Sequence, residues 1–212
     1  TITSLEYKYK KSSLIISLIL LLSTITLIYG SFIESNIIVI NKTEIDLEKI
    51  EKPIKIALIA DYQVGAKKKT KFVQRTVDVI LKLNPDVVFI AGDFINNEFY
   101  VPEEVNYLEP LKQLTEKYPV YGIHGNHEYG IGGGKAVYDP EYRLYNMTVE
   151  TKKAVENLGI KYLINNLEEI EINNQKFYLF GGDEYWSGNL NFNILNTRTK
   201  NIPTIALIHN PA

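Results

Sequence analysis

The stretch Val120-Tyr-Gly-Ile-His-Gly-Asn-His-Glu-Tyr-Gly130 decides the reading of this chain. Its first part, Val120 to Ile123, is an apolar run suited to a short buried strand. The run ends abruptly in Gly125-Asn126-His127-Glu128, which sets an amide, an imidazole and a carboxylate side by side. Taken alone the tetrapeptide is a polar turn, since strands commonly end on such residues. Its meaning depends on whether other strands end the same way.

Three others do. Ile56 to Ala60 is followed by Asp61-Tyr62-Gln63, Val87 to Ala91 by Gly92-Asp93, and Thr204 to Ile208 by His209-Asn210. One carboxylate after one strand is usually a cap or a turn residue. Four strand ends that each deliver oxygen or imidazole donors point instead to a shared site. In α/β sheets ligands bind outside the carboxyl ends of the strands, where loops collect functional groups. Clustered carboxylates repel one another unless a cation lies between them, and a pair of divalent ions meets that need.

Between these strands the pattern changes period. Residues 70 to 83 carry apolar side chains at Phe72, Val73, Val77, Ile80 and Leu81, a helical spacing that stops before Asn84-Pro85. Pro102 to Tyr118 and Val149 to Asn157 read as further helices, and Asn36 to Ile40 as an additional strand. The segment EIEINNQKFYLFGG, from Glu169, reads as a hairpin turning at Asn173-Asn174. Continuous apolar strands alternating with amphipathic helices predict an α/β sheet covered on both faces.

Bulk properties set bounds. The chain has 212 residues, 45% of them hydrophobic, enough for one domain with a sizeable core. Its formal net charge of -2 argues against a nucleic-acid footprint, and the run Lys67-Lys68-Lys69 with Lys71 reads as a solvated helix start. There is no cysteine, so disulfides and thiolate metal sites are excluded. A metal must then be held by His, Asp, Glu, Asn or Gln, donors suited to Mn, Fe, Zn or Mg.

The N-terminal part stands apart from the rest. Ser12 to Ile33 is uncharged throughout, long enough to cross a bilayer as a helix. Lys8, Lys10 and Lys11 precede it and Glu34 follows, so the positive-inside rule puts the N-terminus in the cytoplasm. A signal peptide is the competing reading, but no clear small-x-small cleavage site follows. The expected organisation is a cytoplasmic N-terminus and anchor over residues 1–34, then one domain over 35–212. The localisation expected is a single-pass cell-membrane protein whose domain over 35–212 is extracytoplasmic.

The strand-end motifs together resemble the calcineurin-like metallophosphoesterase superfamily. Its pattern runs Asp-x-His, Gly-Asp, Gly-Asn-His-Asp/Glu, His, then Gly-His-x-His. This chain has Asp61-Tyr62-Gln63, Gly92-Asp93, Gly125-Asn126-His127-Glu128 and His209 in that order. The second half is similar to the membrane-anchored bacterial phosphodiesterase branch: Gly159-Ile160 with Leu163 and Asn165, then Gly182-Asp183-Glu184-Tyr185-Trp186, then His209-Asn210-Pro211.

The resemblance implies a four-layer αββα sandwich, preceded by one transmembrane helix. It implies two divalent metal ions, with Asp61 and Gln63 on the first, Asp93 bridging, and Asn126 and His209 on the second. It further implies hydrolysis of phosphodiester or pyrophosphate bonds by a metal-activated hydroxide. His127, not a ligand, would stabilise or protonate the leaving oxygen, and Glu128 would orient His127 or support the loop. His124 is read as a packed histidine, Trp186 as core or rim packing, and Gly130 with Gly132–Gly134 as a mobile loop. Lipid-linked pyrophosphates such as UDP-2,3-diacylglucosamine are among the substrates implied, although that one needs a cytoplasmic active site.

Two departures matter. Gln63 stands where the pattern has His, which implies altered metal preference. The sequence holds no Gly-His-x-His, begins at Thr1 and has its only methionine at Met147, so it is expected to be a fragment, incomplete at the C-terminus and inactive. The alternative is a non-catalytic membrane-tethered binding domain with a decayed metal site.

Overall fold

The computed structural model describes residues 2–210; Thr1, Ala212 and the Pro211 of the expected His-Asn-Pro segment lie outside the described residues. The chain divides into two compact units, Thr1–Thr43 and Glu44–Ala212, each described by itself.

In the first unit, helix α1 (Ile2–Ile28) runs into a π turn, Tyr29–Ile33, and a 3-10 turn, Glu34–Asn36. The stretch Tyr9–Ile33, 25 residues with none buried, is long and apolar enough to cross a membrane. At about 1.5 Å per residue it reaches about 37 Å, against about 30 Å of bilayer hydrocarbon. Two of its hydroxyls are satisfied within the helix: Thr24 donates to the Leu20 carbonyl at 2.8 Å and Thr26 to that of Leu22 at 3.0 Å. The strand expected over Asn36 to Ile40 does not form. Those residues have β-branched side chains but no partner strand, and propensity without pairing does not make a strand.

The second unit starts from β1 (Ile56–Ile59) and then α2 (Thr70–Leu83). The predicted apolar spacing of α2 buries Val73, Val77 and Ile80, worth roughly 2 kcal/mol each. Asn84 ends the helix in a left-handed conformation at φ 47°, its N–H still bonded to the Ile80 carbonyl. Strand β2 (Val87–Ile90) is buried throughout, as a central parallel strand should be. The helix expected from Pro102 to Tyr118 is instead a 3-10 segment, Pro102–Leu111, leading into a short α3 (Lys112–Thr115). Pro110 lies inside it, and a proline there removes an amide and crowds the preceding carbonyl, which disfavours regular α-helix.

Next come β3 (Val120–Gly122), a one-turn α4 (Lys135–Tyr138), α5 (Thr148–Asn157) and β4 (Lys161–Tyr162), the last unforeseen from the sequence. The hairpin forms as expected, with β5 (Asn166–Ile172) and β6 (Gln175–Gly181) joined by Asn173 and Asn174 at φ 53° and 61°. Two successive positive φ values are what a tight hairpin turn needs, and asparagine tolerates them. Strand β7 (Thr204–Leu207) pairs parallel to β6.

The strands make two sheets, a parallel one ordered β1-β2-β3-β4 and a second ordered β5-β6-β7. One core packs α2 and the 3-10 segment on the first sheet through Val73, Val77, Leu108, Leu111, Val88 and Ile90. The other lies between the sheets, where Val87, Phe89 and Ile123 meet Ile170, Phe177 and Leu179. Alternation along β2 explains the division: Val88 and Ile90 face the helices, Val87 and Phe89 face the second sheet. Helix, sheet and sheet are thus three layers of the expected sandwich. On the outer face of the second sheet Phe180 packs on Phe192, which leads into the 3-10 turn Asn193–Thr197. All four strands of the first sheet run one way, so their carboxyl ends share a rim.

Candidate metal centre

The rim is assembled by backbone before any side chain matters. Beyond β1 and β2 the two chains remain zipped: Asp61 N–H bonds to the Gly92 carbonyl at 3.2 Å, Gln63 N–H to Asp93 at 2.8 Å and Val64 N–H to Phe94 at 2.9 Å. This ladder holds Asp61, Gln63 and Asp93 in left-handed backbone conformations at φ 59°, 43° and 53°. Such φ values are uncommon outside glycine and tend to cluster at functional sites.

The loop after β3 lies directly on the loop after β2. Gly92, at φ 82°, and Gly125 meet backbone to backbone: a Cβ on Gly92 would stand 2.7 Å from Gly125 Cα, and one on Gly125 would overlap Asp93. Glycine at these two positions is what permits the contact.

Glu128 fastens the junction. Fully buried, its carboxylate accepts from the amides of Gly125 at 2.7 Å, Phe94 at 2.8 Å, Asp93 at 3.1 Å and Ile95 at 3.3 Å. It therefore supports the loops and does not orient His127. Burial first, then the Asp93 carboxylate, push its carboxyl up to about 7, while amides of Gly125, Ile95 and Asp93 pull it back. The imidazole of His127 is oriented instead by the Asn96 carbonyl, 2.5 Å from Nδ1. That leaves Nε2 turned to the site, 3.7 Å from Asp93 Oδ2.

His209 reaches the rim from the second sheet. Its Nδ1 lies 2.6 Å from the Ala91 carbonyl, to which it can only donate, so Nε2 presents its lone pair. That nitrogen stands 2.9 Å from Asn126 Oδ1 and 3.5 Å from Asp93 Oδ1. Asn126 is fixed with its amide NH2 on the Ile131 carbonyl, so its oxygen is the atom that faces His209. Two lone pairs directed at each other call for a cation, metal ion or proton, between them. Ligand atoms of Asp61, Asp93 and His209 lie within 4.8 Å of one another.

The structure thus brings Asp61, Gln63, Asp93, Asn126, His127 and His209 to one rim. Gln63 differs from the expectation in detail. Its Nε2 donates to Asp61 Oδ1 at 3.1 Å and to Asp93 Oδ2 at 3.0 Å, so the amide would have to turn for Oε1 to ligate. A cavity of about 400 Å³ opens beside this group, lined by Gln63, His127, Asn96, Lys68 and Leu144 among others. The donor set, hard oxygens with one imidazole and no sulfur, fits ions such as Mn, Fe, Zn or Mg.

The remaining candidates are supports. His124 is 2% exposed, with Nδ1 2.9 Å from the Tyr162 hydroxyl and its ring between Tyr129 and Tyr162. Burial first, then Lys152, push its imidazole down to about 4. Trp186 belongs to a turn capped by Glu184, which accepts from Trp186 N–H at 2.8 Å. The same buried Glu184 takes Asn210 Nδ2 at 2.5 Å, fixing the residue next to His209. Asp183 is clasped by the Tyr129 hydroxyl at 2.8 Å. Of the supports, Glu184 stood in a quoted motif; nothing in the sequence marked Asn97, whose buried side chain donates to the His127 carbonyl at 2.9 Å.

Comparisons with known proteins identify the family. The family model described as calcineurin-like phosphoesterase matches residues 54–212. An uncharacterized metallophosphoesterase of Helicobacter pylori is 32% identical over 93 residues, 44% of this chain and 25% of that protein. A Danio rerio protein described as a transmembrane protein with metallophosphoesterase domain is 29% identical over 115 residues, 53% of this chain and 26% of its own. The chain therefore matches about a quarter of the length of these relatives. A solved archaeal phosphodiesterase is 13% identical with a TM-score of 0.35, covering 72% of this chain and 82% of that one.

Proposed function

The chain belongs to the calcineurin-like phosphoesterase family, and from that premise we propose that it is part of a membrane-anchored, two-metal phosphoesterase that hydrolyses phosphodiester or pyrophosphate bonds. The observation that carries this reading is the convergence of four strand-end loops on one donor set, with the Nε2 of His127 beside it. In this reading Asp61 and Gln63 would hold one ion, Asn126 and His209 the other, and Asp93 would serve both. Divalent ions bound there supply positive charge against the phosphoryl oxygens and a water of lowered pKa.

The chain's own residues do the rest. Glu128 and the glycine contact fix Asp93 against the loop of Asn126. The Asn96 carbonyl fixes the tautomer of His127, which moves a proton at Nε2 to or from the leaving oxygen. The apolar helix anchors the domain, and Lys8, Lys10 and Lys11 before it assign the N-terminus to the cytoplasm and the domain to the other face. A relative named for its transmembrane character supports the anchor. Confinement to a bilayer surface would suit a lipid-linked phosphate ester.

The test is hydrolysis of bis(p-nitrophenyl) phosphate with Mn²⁺, Fe²⁺, Zn²⁺ or Mg²⁺, alongside calorimetric metal titration, on the wild type and Asp93→Ala. Metal-dependent turnover lost with Asp93 supports the enzyme. One observation favours a second reading, a membrane-tethered binding domain: the Gln63 amide already donates to both carboxylates, as a cation would. No turnover and no metal binding in the wild type would select that reading.

A further inference from the structure

Asn97 is buried at 2% exposure on the loop after β2, with a left-handed backbone at φ 52°. Its Nδ2 donates twice, to the His127 carbonyl at 2.9 Å and to the Tyr145 carbonyl at 2.6 Å. Its Oδ1 is buried and accepts from nothing among the described residues. A buried acceptor without a partner is costly, so the residue's value here lies in its two donors.

Those donors join three segments around the cavity. The first is the loop carrying Asp93 and Asn96, whose carbonyl sets the His127 ring. The second is the backbone of His127 itself. The third is the strap next to Leu144, a residue that lines the cavity. The strap is otherwise attached through Leu144 N–H to the Gly130 carbonyl at 2.8 Å and Met147 N–H to the Glu128 carbonyl at 2.8 Å, and the Tyr145 ring lies tilted against that of Tyr100, centroids 4.6 Å apart. His127 is thus held at its ring by Asn96 and at its carbonyl by the adjacent Asn97. The His127 carbonyl also accepts from Gly130 N–H at 3.0 Å and the His127 N–H donates to Asp93 Oδ1 at 2.9 Å; the Asn97 hold adds a side-chain bridge from that carbonyl to Tyr145 of the strap.

We propose that Asn97 is a positioning residue for His127, keeping Nε2 aligned on the leaving oxygen and coupling that alignment to the strap that walls the cavity. The proposal rests on the phosphoesterase reading above. Hydrolysis forms a bond from the water oxygen to phosphorus and breaks the bond from phosphorus to the leaving oxygen. The departing electron pair needs a proton most when the leaving group is basic, so misalignment of His127 costs most there.

Asn97→Asp tests this, because it keeps the volume and replaces the two-donor amide by a carboxyl with at most one donor; Asn97→Ala, which removes both donors, is the second variant. Turnover is compared on bis(p-nitrophenyl) phosphate and on diphenyl phosphate, whose phenol is the poorer leaving group. The expected result is a loss of kcat of about tenfold on diphenyl phosphate and about twofold or less on the nitrophenyl ester. Equal losses on both substrates would overturn the proposal and leave Asn97 a purely structural residue. A readout independent of turnover is the His127 ring signal by NMR in the metal-free chain, which has 3 histidines and so is assignable with His127→Ala. A His127 signal unmoved by Asn97→Asp also overturns it. Absence of turnover in the wild type would count against the phosphoesterase reading, and the NMR comparison would still decide the role of Asn97.

Discussion

Replacing Gly92 by alanine measures how far the site depends on backbone touching backbone. Two penalties separate cleanly. At φ 82° an L side chain is in a region that costs about 1–2 kcal/mol. The new Cβ would also lie 2.7 Å from Gly125 Cα and from the His124 carbonyl carbon, atoms that no rotamer can move aside. Overpacking of that kind adds about 1–3 kcal/mol, for a total of about 2–5. Gly188 is the control, since it has φ 81°, close to that of Gly92, and nothing within 4 Å of its would-be Cβ. Gly188→Ala should therefore cost only the conformational part, about 1–2 kcal/mol. The assay is urea unfolding of the unit Glu44–Ala212 by far-ultraviolet circular dichroism, with m unchanged so that midpoints convert to stability. Gly92→Ala should also weaken Mn²⁺ binding, because Asp93 follows it directly, while Gly188→Ala should not. If the two variants differ by less than about 0.5 kcal/mol, the loops do not bear on each other and the account of the rim is wrong.

Three further outcomes are expected. His127→Ala should lower turnover about 10²–10⁴-fold while metal affinity, by calorimetry, stays near wild type; a large loss of affinity would make His127 a ligand instead. His124 should make stability fall in acid. Its folded-state pKa is lowered to about 4 from 6.5, so the unfolded chain binds the proton more tightly, and stability present above about pH 6.5 is lost as pH falls toward 4. The loss should be about 3 kcal/mol, measured in EDTA, and largely absent in His124→Gln; identical pH profiles for the two proteins would refute it. Gln63→His should tighten Mn²⁺ binding about tenfold, since imidazole is a better donor than an amide that now bonds to both carboxylates; unchanged or weaker binding would show that position 63 does not reach the ion.

The sequence by itself determined what is local and periodic. Helix α2 has the span its apolar spacing predicts and stops at the residue before Pro85. The hairpin turns at Asn173-Asn174, and each apolar run that ends in a polar donor is a strand or strand end. These features are legible because each depends on neighbours a few residues apart. Where local signals were weighed alone they also misled: Asn36 to Ile40 has strand composition but no partner, and Pro110 turned an expected α-helix into 3-10.

Only the tertiary structure decided how the donors meet. The His209 ring is set by the Ala91 carbonyl, 118 residues away, and Asn126 faces it across 83. The role of Glu128 could not be read from its place beside His127, since three of its four donors come from the loop after β2, 33 to 35 residues back. Asn97 carries no pattern at all until the strap returns Tyr145 to it from 48 residues on. Contacts of that range are fixed by which sheets and loops pack together, and packing is a property of the whole chain that no window along it contains.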